Sequence, residues 1–122
     1  MSSSGSSLKE AFVKAELQNG ISTITFFHPS SNSLPASILS KLAETIRHAG
    51  EQKDVRGIVL KSEGDRAFCA GASFDELMAI SNESEGLEFF SGFANVINEI
   101  KTCPKFVLGR VQGKAVGGGV GL

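Results

Sequence analysis

The sequence predicts an α/β domain assembled from repeated strand-strand-helix turns with parallel pairing. Three observations lead there. Asn19-Gly20 divides two apolar, β-rich segments between Phe12 and Phe26, the pattern of a tight hairpin. Val55 to Leu60 holds Ile58-Val59-Leu60 with no polar interruption, as a strand covered on both faces does, and such strands take parallel neighbours. Two longer segments repeat apolar residues at helical spacing. The 122 residues, 41% hydrophobic with nine Phe, suffice for one core.

In chain order, residues 1–8 are Ser-rich and read as a disordered tail without a role. After the hairpin, His28-Pro29-Ser30-Ser31-Asn32-Ser33 reads as a loop. Leu34 to Ala49 places Ile38, Leu39, Leu42, Ala43 and Ile46 on one face of a helix, with Gly50 as its stop. The strand around Ile58 leads into a polar turn, Ser62-Glu63-Gly64-Asp65, and Ala67-Phe68-Cys69-Ala70 returns as a short extended segment that meets Gly71. Ser73-Phe74-Asp75-Glu76 is a capping-box pattern, Ser73 capping and Glu76 reaching back, so a helix should begin near Ala72. A further helix runs from about Ser84 to Thr102 with Leu87, Phe90, Ala94, Ile97 and Ile100 on one side, and Pro104 closes it. Lys105 to Val111 reads as another buried strand, and Gly117-Gly118-Gly119 stands where the next helix would start. There is no internal repeat.

A formal charge of −1 provides no field to draw the chain to nucleic acid or to an anionic membrane. No apolar run approaches the ~18 residues of a membrane span, and no basic segment precedes an apolar one at the N-terminus. A soluble, cytoplasmic protein is expected. Cys69 and Cys103 lack a Cys-x-x-Cys pattern or clustered His, which argues against both a zinc site and a disulfide framework; no metal ligand set is assigned. A phosphate loop is excluded because Lys114 is followed by Ala115 rather than Ser or Thr. A dinucleotide fingerprint beginning at Gly117 would need a small residue where Leu122 stands.

The informative pair is Ala70-Gly71-Ala72 with Gly117-Gly118-Gly119, two glycine corners that each follow a short apolar segment. Glycine permits close backbone approach, and the first N–H groups of a helix have no intrahelical partners. Two such corners brought together would aim two N–H donors at one oxygen, the arrangement an acyl carbonyl needs as it becomes an oxyanion.

With these two corners, the chain resembles the N-terminal half of the crotonase, or enoyl-CoA hydratase/isomerase, family. The residues that carry the likeness are His28-Pro29 with Asn32-Ser33-Leu34, then Val55-Arg56-Gly57-Ile58-Val59-Leu60, then Ala67 through Leu77, then Pro104 through Gly119. The resemblance implies a crotonase-like spiral of strand-strand-helix units, here truncated, with residues 9–122 as the N-terminal part of the domain. It implies an enzyme of the lyase type that adds water to a 2-enoyl-CoA thioester, with Ala72 N–H and Gly118 N–H as the oxyanion hole. Ser31, Ala70, Ala72, Ser73, Phe74, Asp75 and Gly118 would line the CoA-binding groove. Coenzyme A enters as part of the substrate, so no separate cofactor is implied, and the full-length protein would be a homotrimer or hexamer. The 122 residues alone would be inactive.

Two departures from the family pattern matter. Ser73 replaces an Asp common among hydratases, and Ser caps a helix as well. Gly121 stands where well-studied hydratases place the first of two catalytic glutamates, and it has no side chain to carry a proton. An isomerase using one carboxylate beyond Leu122 is the alternative enzyme, and a non-catalytic acyl-CoA-binding subunit is the alternative outside enzymes. Among other candidates, Cys69 and Cys103 read as small structural residues rather than nucleophiles. His28 reads as solvent-facing, and His48 as a helix-end residue. Glu83, Glu85 and Glu88 read as a solvated face, with Glu88 nearest to a substrate role, and Phe89, Phe90 and Phe93 as core.

Overall fold

The computed structural model describes residues 10–64 and 67–115. The expected tail over residues 1–8, and the positions Gly117 to Gly119 and Gly121, lie outside the described residues. β1 (Phe12–Gln18) and β2 (Ile21–Phe27) form the expected hairpin, with Phe12 opposite Phe27 and Gln18 opposite Ile21. Its two turn residues, Asn19 and Gly20, have φ of 55° and 83°, the double positive φ of the turn that matches strand twist. A two-residue strand, β3 (Ser33–Leu34), precedes α1 (Ala36–Glu51).

β4 (Gly57–Ser62) runs parallel to β2 on one side and to β7 (Phe106–Arg110) on the other, giving the sheet order β1-β2-β4-β7. Two small parallel ladders stand beside it. β5 (Ala67–Cys69) pairs with β8 (Lys114–Ala115), and β3 pairs with β6 (Gly71–Ala72). α2 (Phe74–Met78) and α3 (Glu83–Thr102) fill the span between β6 and β7. The α/β class with strand-strand-helix units is therefore observed.

The core forms where α1 lies on the sheet. Ile38, Leu39, Leu42 and Ile46 join Ile24, Phe26, Ile58 and Leu60 in one buried cluster, with Phe68 set edge-on to Phe26 at 5.3 Å between ring centroids. Each such side chain contributes about 1.5–3 kcal/mol on burial, so this stripe outweighs the poor start of α1, where Pro35 occupies the N-cap and offers no capping side chain. Ala36 N–H is met from outside the helix, by Glu76 Oε1 at 2.9 Å.

Four expectations need correction. Gly50 does not end α1; the helix continues to Glu51, and Gly50 is buried because a Cβ there would come within 2.9 Å of Cys103 Sγ and 3.3 Å of Pro104 Cδ. The capping box is only half formed: Ser73 Oγ accepts Glu76 N–H at 3.4 Å, but the Glu76 carboxylate turns to α1. On α3 the buried residues are Phe93 and Val96, while Leu87 is 74% and Phe90 57% exposed, because α1 packs the face one step round the helix. Gly92 allows that contact, its would-be Cβ lying 3.0 Å from Leu39 Cδ1. β7, expected to be buried, is the last strand of the described sheet, and Phe106 at 77% and Leu108 at 56% exposure share an uncovered face among the described residues.

Candidate functional site

The loop after β2 turns sharply between two prolines. Ser31 and Asn32 both have positive φ, 56° and 60°, which is uncommon for residues with a Cβ and is most readily adopted by Asn. The turn closes on itself through Asn32 N–H to His28 O and Ser33 N–H to Ser30 O, both 3.0 Å. His28 Nδ1 accepts Ser30 N–H at 3.1 Å, so this ring nitrogen is engaged within the loop.

From this turn the chain enters β3, which acts as a template for the first glycine corner. Ala70 N–H donates to Asn32 O at 3.0 Å, Ser33 Oγ–H to Ala72 O at 3.0 Å, and Ser73 N–H to Leu34 O at 3.3 Å. Ser33 lies opposite Gly71 and Leu34 opposite Ala72. Ala70, Ala72 and Ser73 are thereby held against the stretch that follows Ser31, and Phe74 begins the helix, with Asp75 in its first turn, that leaves the corner. Gly71 makes the corner possible with φ of 95°, a conformation that L side chains rarely adopt. Gly71→Ala is expected to destabilise the protein by about 1–3 kcal/mol, read as a lower denaturation midpoint; equal stability would show the corner to be unstrained by a side chain.

The second corner is approached through β8. Cys69 lies opposite Ala115 in a parallel ladder, so the chain leaves β5 toward Ala70-Gly71-Ala72 at the same end where it leaves β8 toward Gly117-Gly118-Gly119. Gly118 itself lies outside the described residues.

The remaining candidates fall as follows. Cys69 is fully buried, and desolvation pushes its thiol up, against a smaller opposing effect from the Gly71 N–H that donates to Sγ at 3.4 Å. It stays a protonated core thiol at neutral pH. Glu85 is exposed, and hydrogen bonds from the Ser81 N–H and hydroxyl hold its carboxyl below the usual range. Glu88 lines a cleft of about 250 Å³ with Glu76, Glu85, Ile80 and Phe89, between the start of α1, α2 and α3. Phe93 is core as expected, but Phe90 is not. Among the described residues no group of three His, Cys, Asp or Glu side chains could hold a metal ion, and no helix is long and apolar enough to cross a membrane.

Sequence reasoning missed the side chain that ties the corner together. Asn32 is buried, its Oδ1 accepting His28 N–H at 2.7 Å and its Nδ2 donating to Glu63 O at 3.0 Å and Ala67 O at 2.8 Å. The only local signal was an Asn in a tight turn between prolines.

Comparison with known proteins places this geometry among relatives. The family described as enoyl-CoA hydratase/isomerase matches residues 16–122. A hexahydro-1H-indene-carboxyl-CoA hydrolase of Rhodococcus jostii is 32% identical over 104 residues, covering 85% of this chain and 40% of the relative. The human mitochondrial methylglutaconyl-CoA hydratase is 34% identical over 91 residues, 75% of this chain and 26% of the relative. The crystal structure of an enoyl-CoA hydratase from Bacillus halodurans superposes with a TM-score of 0.80 at 27% identity, over 88% of this chain and 44% of that one. The chain thus spans less than half the length of each of these relatives.

Proposed function

Because the chain belongs to the enoyl-CoA hydratase/isomerase family, we propose that the protein carrying it hydrates a 2-enoyl-CoA thioester, holding the thioester oxygen between Ala72 N–H and Gly118 N–H. The observation that supports this reading is the pairing of Cys69 with Ala115. In sequence, Ala72 lies three residues beyond Cys69 and Gly118 three beyond Ala115, and the parallel β5–β8 ladder, irregular between Ala67 and Cys69, runs both strands in the same direction.

As a base takes one proton from water, the water oxygen bonds to the β-carbon and the double-bond electron pair moves through the α-carbon onto the thioester oxygen. The resulting enolate carries its charge where the two N–H groups point, and protonation at the α-carbon completes the reaction. Prearranged amide donors favour this charged state over the neutral ground state, at about 3–4 kcal/mol for one donor. The groove for CoA is assigned to Ser31, Ala70, Ser73, Phe74 and Asp75, with coenzyme A supplied by the substrate. The methylglutaconyl group named for the human relative is branched and acidic, and the substrate proposed here is an enoyl-CoA of that kind.

Gly121 favours a second reading, movement of a double bond by a single carboxylate beyond Leu122, which needs one proton shuttle rather than an acid and a base. Both readings share the amide pair. The full-length protein bound to a non-reactive acyl-CoA analogue is expected to place the thioester oxygen within hydrogen-bond reach of Ala72 N and Gly118 N. An oxygen bound elsewhere overturns the assignment, and binding without turnover of any enoyl-CoA would point to an acyl-CoA-binding subunit.

A further inference from the structure

We infer that Asn32 is a positioning residue for the Ala72 corner, fixing where β6 lies rather than touching the substrate; the inference rests on the acyl-CoA reading above. Asn32 is 2% exposed and ties its own loop to a segment 31 to 35 positions further along the chain. Its Oδ1 takes the His28 N–H at the start of the loop, and its two Nδ2 hydrogens go to Glu63 O, just after β4, and Ala67 O, the first residue of β5. Its own carbonyl accepts Ala70 N–H. Ala67 and Ala70, the two ends of the segment that enters the corner, are both held by this one residue.

The next two residues continue the clasp. Ser33 Oγ–H reaches Ala72 O and Leu34 O receives Ser73 N–H, so the carbonyl of Ala72 and the amide after it are fixed from the same three-residue stretch. Three replacements show what position 32 demands. Asp keeps the shape but sets carboxylate oxygens against the carbonyls of Glu63 and Ala67. Leu leaves the His28 N–H and both carbonyls without their partner, and Gly accepts the φ of 60° while supplying no amide.

The test uses the full-length protein with Asn32→Gly, which keeps the backbone conformation, and Asn32→Asp, which keeps the shape. Steady-state kinetics on a turned-over enoyl-CoA are combined with amide hydrogen exchange. A misplaced oxyanion donor is expected to lower kcat roughly 10–100-fold, with KM changed less than about threefold. Exchange at Ala70 and Ser73 should accelerate while that at Ile24 in the hairpin stays unchanged. Unchanged kcat in a folded variant overturns the inference, as does acceleration at Ile24 equal to that at Ala70, which would make Asn32 a general stabiliser. If the unaltered protein turns over no enoyl-CoA, the acyl-CoA reading fails by itself; exchange then decides, local acceleration upholding the placement of β6 and no change overturning it. Should neither variant fold, Ser33→Ala removes only the bond to Ala72 O. A several-fold lower kcat at constant KM supports the inference there, and an unaltered kcat overturns it.

Discussion

Gly118→Pro in the full-length protein is expected to lower kcat and kcat/KM together by about a hundredfold. Proline has no N–H, so the substitution deletes one of the two proposed donors without adding charge; its ring also fixes φ, so folding is checked alongside turnover. The loss should appear equally in both constants because the donor acts on oxygen charge that develops only in the transition state. Substrate binding, carried by the nucleotide and pantetheine parts of CoA, should change little. A folded Gly118→Pro protein, judged by an unaltered circular dichroism spectrum, that turns over at the original rate would remove Gly118 from the oxyanion hole.

The second large effect concerns Gly121. If proton transfer depends on a single carboxylate after Leu122, the full-length protein should exchange the α-proton of an acyl-CoA with solvent, followed by deuterium incorporation, while hydration of straight-chain crotonyl-CoA stays weak or absent. Hydration asks for a base on water and an acid toward the α-carbon, and each such group is worth about 10²–10⁴-fold. A glycine supplies neither. A strong preference for a branched or acidic enoyl-CoA would show that the substrate brings the missing group. Robust crotonyl-CoA hydration that survives removal of the later carboxylate would overturn this account.

What the sequence disclosed depended on the range of the interactions involved. The hairpin was legible because Asn19-Gly20 specifies its own turn, and β4 because an unbroken Ile-Val-Leu run has few alternatives. The face of α3 was not, because that helix is apolar on two sides. Leu87, Phe90 and Ala94 recur at helical spacing just as Phe93 and Val96 do, and the approach of α1 over Gly92 selects the second set, with Ile100 alone of the expected side packed against the core. Gly50 was misread for the same reason, since its neighbours Cys103 and Pro104 arrive from the far end of α3. At the site, the corner at Gly71 was legible from its glycine, whereas Asn32, quoted only as part of the family pattern, gave no sign of its tie because its side-chain amide bonds carbonyls 31 and 35 positions away. Glu76 was seen as half of a local box, and its actual partner, Ala36, lies 40 positions away.

The Asn32 clasp also imposes an order in time. The turn from His28 to Leu34 is complete in sequence long before Glu63 and Ala67 follow, so the two amide hydrogens of Asn32 meet their protein carbonyls only when that later segment arrives. During that interval water holds them, and the loop samples many shapes. The hairpin, whose partners are adjacent, needs no such wait and can close within microseconds. Arrival of Glu63 and Ala67 outside the ribosome is therefore expected to convert a fluctuating turn into a fixed one, and the corner at Gly71, a few residues later, docks onto a template that has only just set.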